Sequence, residues 1–211
     1  MGKSNSLCDD GKSHLEMDWD GLPNAYQCNK PSDEWLKSLA NITALEKCYE
    51  INSTYTPTHH CMTDPIIYDN VLPTHHDHRP VWPKYGEYLY VPPQRWLHNI
   101  EHGAIVMHYH PCADKNQVDI LKKLVVKCLR KHIITANILL DETRPLALVA
   151  WGCRLTMNTV DNNTVIAFIK KHALNGPEGH YDKEGDYSEA LIKLAEPPLG
   201  SDYHDSHVCP N

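Results

Sequence analysis

Between Trp96 and Pro111 the chain reads WLHNIEHGAIVMHYHP, with His98, His102, His108 and His110 around Glu101. Imidazole nitrogens and carboxylate oxygens hold transition metals, so metal binding is the chemistry this stretch suggests. Gln94–His102 is predicted to form a short helix after Pro92 and Pro93, with Gly103 as its C-terminal capping glycine. On that helix His98 and His102 share a face. The segment after Gly103 is short, β-branched and alternating, which predicts a strand. Alternation puts Val106, His108 and His110 on one face and Ile105, Met107 and Tyr109 on the other. His108 and His110 then lie roughly 7 Å apart at Cα, near enough to share an ion. One histidine at a helix end or on a strand is more often a dipole partner or a half-buried polar group. Four in so short a span shift the balance towards metal.

Two further clusters lie upstream, His59-His60 beside Cys61 and Met62, and His75-His76-Asp77-His78. Asp77 is placed to orient a ligating imidazole. His59 and His60 read as part of a solvated loop anchored by a disulfide. The expected ligands are therefore His75, His76, His78, His98, His102, His108 and His110, with Glu101 and Tyr109 as catalytic groups.

Several elements must position these residues. Residues 1–31 are polar and turn-rich and read as an arm tied down by Cys8 and Cys28. Ser32–Tyr49 has Trp35, Leu36, Leu39, Ile42, Leu45 and Cys48 at helical spacing. From Ile51 to Pro93 prolines recur too often for long regular elements, leaving an irregular, β-edged layer. Asn116–Ile133 and Thr164–Leu174 read as amphipathic helices. Ile138–Leu140 and Leu146–Trp151 read as strands around a turn, and Ser188–Ala195 as a helical turn. The expectation is an α+β class: one disulfide-stapled domain over residues 32–195, a small mixed or antiparallel sheet, flanking helices and long irregular loops. Residues 196–211 form a tail tied by Cys209.

Composition narrows the function classes. A formal charge of −7 over 211 residues, with no basic block, argues against nucleic-acid partners and anionic membranes. Mean hydropathy is −0.50, and no run approaches the roughly 20 apolar residues of a membrane-spanning helix. Fifteen histidines is about three times ordinary usage, beside one phenylalanine and eleven tyrosines. The eight cysteines form no C-x-x-C pair, which disfavours zinc ribbons and thioredoxin-like motifs, and they are consistent with up to four disulfides. Asn41-Ile42-Thr43, Asn52-Ser53-Thr54 and Asn162-Asn163-Thr164 are glycosylation sequons. Together these favour a secreted glycoprotein. No apolar leader is visible at the N-terminus. Met1-Gly2 with Ser6 fits a myristoylation pattern, but a start left after leader removal accounts better for the dispersed cysteines.

The residues from Pro73 to Pro111 resemble a family, domain of unknown function 3105, that includes bacterial membrane-anchored proteins and the extracellular domain of animal p53-inducible protein 13. Its pattern is matched by Pro73-Thr74 with His78, by Trp82, by Tyr85-Gly86 with Tyr88, and by His98-Asn99-Ile100-Glu101-His102-Gly103 with Tyr109. The motifs cover about forty residues, and the following helix and strand extend the match towards Leu174. This chain has His75 and His76 where the family has Ser-Gly, and Asp77 where proline is usual. The resemblance implies no activity. It implies that His78, His98, Glu101 and His102 are the shared constellation.

Carboxylates are sparse among these histidines, which disfavours calcium, magnesium and manganese and leaves copper, zinc, iron and nickel. His76-Asp77-His78 is only a partial match to the facial iron triad. A histidine-only set in an oxidising compartment points to copper, with Met62, Met107 or Met157 as a nearby thioether and Tyr85, Tyr88 or Tyr109 lining a pocket. The leading expectation is a copper-dependent oxidoreductase of monooxygenase or oxidase type, acting on a small-molecule or peptide substrate with O₂ or a peroxide. Zinc is the alternative: His98-Asn99-Ile100-Glu101-His102 is a literal H-x-x-E-H, with Glu101 as general base and Glu178 or Glu184 as third ligand. A third reading is a metal carrier or disulfide-stapled binding module without turnover. Non-reducing mass spectrometry of the native protein is expected to find no free thiol and added glycan mass; eight free thiols would defeat the secreted reading.

Overall fold

A computed structural model describes residues 6–36 and 42–210. A mixed sheet of seven strands organises the chain. In chain order its strands are β1 (Leu45–Cys48), β2 (Gly86–Tyr88), β3 (Ile105–Tyr109), β4 (His132–Ala136), β5 (Leu146–Ala150), β6 (Cys153–Met157) and β7 (Leu191–Leu194). The helices are α1 (Pro93–Glu101), α2 (Lys115–Cys128) and α3 (Asn162–His172). Across the sheet the order is β1-β6-β5-β3-β4-β2-β7. The centre is parallel, β3 with β4 and β4 with β2, because α1 and α2 are crossover connections. Both flanks are antiparallel. The α+β class holds, and the domain carries four disulfides, Cys8–Cys61, Cys28–Cys112, Cys48–Cys153 and Cys128–Cys209.

Each face of the sheet has its own apolar core. Ile105, Met107, Leu146 and Leu148 face α2 and α3, meeting Leu121, Val125, Phe168 and Ile169. Val106, Ile133, Ala147 and Val149 face the other way, towards Trp96, Leu97 and Ile100 of α1 and the buried tyrosines Tyr85, Tyr88 and Tyr187. Burial on both faces explains why β4 and β5 are continuously apolar or buried instead of alternating. Asp114 and Asp161 cap α2 and α3, accepting from the Asn116 and Thr164 amides. α1 has no side-chain cap and starts on Pro92-Pro93.

Several expected elements differ. Leu45–Cys48 is an exposed edge strand and not the end of a helix, because pairing with β6 and the Cys48–Cys153 disulfide outweigh its helical spacing. The middle of the expected helix, residues 37–41, lies outside the described residues. α2 stops at Cys128, and the expected helix residues His132 and Ile133 open β4 instead. Ile138–Leu140 is a turn. Leu191–Leu194 is a strand on β2 instead of a helical turn. β4 and β7 are short strands whose pairing partners are distant in sequence, so local pattern could not assign them, and β6 pairs with β5 across the tight Trp151-Gly152 turn.

Two buried imidazoles sit in this frame. His108 is fully enclosed against Trp96, and neither of its ring nitrogens is hydrogen-bonded. It lines a cavity of about 40 Å³ between Trp96, Val91 and Ala136. His132 donates Nδ1–H to the Leu129 carbonyl at 2.8 Å. Burial pushes His108 down to about 3 and His132 to about 4. Unfolded histidine titrates near about 6.5, so below that pH the unfolded chain takes up protons that the folded chain refuses. Stability is therefore fully present above about pH 6.5 and falls as pH drops towards those values. Chemical denaturation at pH 7 and pH 5 is expected to show a loss of up to about 2 kcal/mol per histidine at pH 5. His108→Phe is expected to keep the stability at pH 7 and remove its share of the pH dependence.

Candidate metal centre

α1 supplies two groups to the centre, and its geometry decides which. His98 and Glu101 are three residues apart on the last turn and share one face. His102 is the C-cap residue at φ −80°, and Gly103 follows at φ +83°. A Cβ at Gly103 would lie 2.6 Å from the Leu174 backbone, so this turn needs glycine.

His78 comes from the irregular layer before β2, where a parallel bridge pairs it with His59. The His60 amide donates to the His78 carbonyl at 3.0 Å, and the His78 amide to the Thr58 carbonyl at 3.2 Å. Cys8–Cys61 anchors the His59 strand-like segment two residues on. His59, His78, His98 and Glu101 thereby converge, each offering one ligand atom, with all four atoms within 4.8 Å of one another.

The imidazoles are oriented by backbone. His78 Nδ1 lies 2.8 Å from the His76 carbonyl, and His98 Nδ1 lies 2.8 Å from the Arg79 carbonyl. A carbonyl only accepts, so each Nδ1 carries a proton and Nε2 is the nitrogen left to face a metal. This is the usual way a ligating imidazole is held. His78 Nε2 sits 3.1 Å from Glu101 Oε2 but is not aligned with it as a hydrogen bond. A buried nitrogen aimed at a carboxylate oxygen without hydrogen-bond geometry fits two ligands directed at a common point. His59 Nε2 is 3.9 Å from the same oxygen. Drawing the four atoms in by about 1 Å would reach the separations of a tetrahedral ion site with bonds of about 2.1 Å.

The electrostatics suit a cation. Burial works to raise the Glu101 carboxyl, but the His59 and His78 imidazoles overcome it and hold the carboxyl below the usual range. Burial, helped by His78 and His102, drives His98 well below its ordinary value, so it is neutral and free to ligate. His78 and His98 are buried, whereas His59 is 26% exposed and forms the solvent side of the cluster. Trp82 covers the other side, 4.6 Å from the His98 ring and 4.7 Å from the His102 ring.

Of the expected ligands the structure brings together His78 and His98, and Glu101 joins them. His102 lies next to the cluster, its ring stacked on His98 at 4.8 Å. His75 packs among Tyr55, Tyr49 and Trp151, and His76 against Tyr68. His108 faces Trp96, and His110 stacks on Trp35 at 3.7 Å while its Nδ1 accepts from the Cys112 amide. The expected alternation of β3 is present, but α1 covers that face with Trp96 and keeps His108 from the cluster. Tyr109 points to the α2 side of the sheet, under Lys122, and does not reach the cluster. Asp77 holds His60 at 3.0 Å and does not orient a cluster imidazole. Glu178 approaches His102 at 3.6 Å, whereas Glu184 is engaged by Arg130 at 2.6 Å.

His59 is the cluster member that sequence reasoning passed over as a loop residue. The available signal was its place two residues before Cys61, since a disulfide fixes the path of an otherwise irregular segment. Tyr181 was also missed; its ring stacks on His102 at 5.1 Å.

Fold and cluster together define a disulfide-stapled α+β domain with a buried His/Glu group able to hold a metal ion. Residues 59–185 match the family model described as Protein of unknown function (DUF3105), and the chain belongs to that family. All four cluster residues lie within the matched span. No curated protein and no solved structure matches the chain.

Dialysis of the protein against copper or zinc, followed by elemental analysis, tests the assignment. His78→Ala and His98→Ala are each expected to weaken binding more than about tenfold, because a ligand is removed outright. His110→Ala and His108→Phe are expected to bind as the parent does. Full occupancy in both His78→Ala and His98→Ala would exclude this centre.

Proposed function

We propose that the protein is an extracellular metalloprotein whose centre is His59, His78, His98 and Glu101, and that it acts as a copper-dependent oxidoreductase. The carrying observation is the pair of buried imidazoles whose Nδ1 protons are held by the His76 and Arg79 carbonyls, aimed with Glu101 at one point. Three imidazoles and one carboxylate suit copper or zinc. The four disulfides and the exposed sequon residues Asn52 and Asn162 support an oxidising compartment, where copper is the better match. Among the described residues no helix is long and apolar enough to cross a membrane.

Copper held there would supply one-electron redox chemistry, with O₂ or a peroxide as the electron acceptor. His59 is the least buried of the four groups and lies where a small molecule would approach. Trp82 and the stacked rings of His98 and His102 shield the opposite side from water. Tyr55, half-buried beside His75 and Trp151, is the tyrosine on the solvent side of this region, and burial together with Asp77 and Glu101 raises its phenol.

A zinc hydrolase is the second reading, favoured by the H-x-x-E-H spacing and by Glu178 beside His102. It requires Glu101 to be a free general base. Its 3.1 Å approach to His78 Nε2 instead supports a role in holding the metal.

Glu101→Gln separates the readings. For the copper centre it is expected to weaken metal affinity about 10–100-fold and to shift the copper(II) paramagnetic resonance signal. For a zinc hydrolase it keeps the metal and abolishes peptide cleavage. O₂ consumption by copper-loaded protein with ascorbate as reductant is expected to exceed that of free copper. Hydrolysis with zinc and no O₂ uptake with copper would reject the oxidoreductase.

A further inference from the structure

Next to the four-residue cluster lies a second set of buried polar atoms without partners. Both ring nitrogens of His102, the Glu178 Oε2 and the Trp82 Nε1 are enclosed and make no hydrogen bond. His102 is 1% exposed, and the approach of its Nδ1 to Glu178 Oε2, 3.6 Å, is too long for a hydrogen bond. The Glu178 backbone carbonyl also comes near the ring, outside hydrogen-bond geometry. Leaving such atoms unpaired costs about 1–3 kcal/mol each; the Trp82 indole and one His102 nitrogen can only donate, whereas the other His102 nitrogen and Glu178 Oε2 carry lone pairs that a cation can take up together.

The loop that presents Glu178 is built to do so. The Glu178 amide donates to the Glu101 carbonyl at 3.0 Å, docking the loop on the last turn of α1. A Cβ at Gly176 would lie 2.2 Å from that same carbonyl, so only glycine allows the approach. Buried Lys131 fixes the far end, its Nζ donating to the Gly179 and Tyr181 carbonyls at 3.1 and 3.0 Å. Tyr181 then stacks on the outer face of the His102 ring. Loop and imidazole are thus held from both sides while their facing nitrogen and oxygen stay unbonded.

We propose that His102 and Glu178 hold a second divalent cation beside the first. Two bonds of about 2.1 Å spanning 3.6 Å subtend an angle of about 120°, within the range of a four-coordinate zinc or copper site. His102 and His98 stack at 4.8 Å, which places the positions close enough for a paired site. This inference rests on the metal reading of the neighbouring cluster.

The test is stoichiometry. Metal-free full-length protein is titrated with Zn²⁺ by calorimetry, and bound zinc is counted after gel filtration. The parent is expected to take up two equivalents. Glu178→Gln and His102→Asn are each expected to take up one, and in Glu178→Gln the affinity of the remaining equivalent is expected to change less than about threefold. Glu178→Gln keeps shape and partial exposure, so it reports even if His102→Asn fails to fold. With Cu²⁺, the second equivalent is expected to diminish the paramagnetic signal per copper through coupling to the first. One equivalent in the parent overturns the second position and leaves the first intact; two equivalents in Glu178→Gln also overturn it. No binding by the parent overturns both readings.

Discussion

The arrangement depends on Arg79, a fully buried arginine that ties four separate pieces of chain together. Its guanidinium donates to both oxygens of Asp18, with Nη2 at 2.7 Å, and so holds the N-terminal arm. Its Nη1 donates to the carbonyls of His60 and Cys61, fixing the path of the segment that carries His59. Its carbonyl accepts from His98 Nδ1 and sets that imidazole's tautomer. Its sequence neighbour is His78. A charge buried this deeply is tolerable only when paired and fully hydrogen-bonded, and removing one partner of such a pair costs about 3–5 kcal/mol. Asp9 and Arg95 repeat the device one turn before His98, with Nη2 to Oδ1 at 2.9 Å. The polar arm therefore acts as a buried counter-charge for the segments around the cluster.

A second constraint is the shortness of α1. It ends at Glu101, so His98 and Glu101 sit on the same terminal turn while His102 leaves the helix. That break divides the H-x-x-E-H residues between two neighbourhoods. His98 and Glu101 turn towards the irregular layer, and His102 turns towards the loop after α3. Gly103 then delivers the chain into the centre of the sheet, where β3 is hydrogen-bonded to β4 and β5 on its two sides. A strand so placed is a rigid base, and loops anchored by disulfides and buried arginines carry the remaining ligands.

The chemistry follows from enclosure. Burial leaves the His98 imidazole neutral and able to donate a lone pair, and the Glu101 carboxylate among imidazoles keeps its charge. A centre of this kind is costly when empty of partners and becomes favourable when a cation satisfies all members at once. Zinc and copper differ here less in fit than in what they can do, and compartment and redox behaviour weigh more than ligand count.

The sequence by itself determined what depends on near neighbours. The Pro92-Pro93 start, a short helix, the glycine exit and the two faces of β3 all follow from local dihedral preferences and side-chain period and are present, although the helix expected to reach His102 ends at Glu101. The α+β class, the family and three members of the cluster, His78, His98 and Glu101, were legible for the same reason, since they lie in compact motifs. The tertiary structure alone decided which histidines meet. His59 reaches His78 through a bridge between segments nineteen positions apart and a disulfide to the N-terminal arm, neither of which leaves a local pattern. His108 and His110 have the right spacing but are occupied by Trp96 and Trp35, and nothing near them in sequence says so. β4 and β7 escaped for a related reason: a short strand is stabilised by the partner it pairs with, and that partner is chosen by the fold.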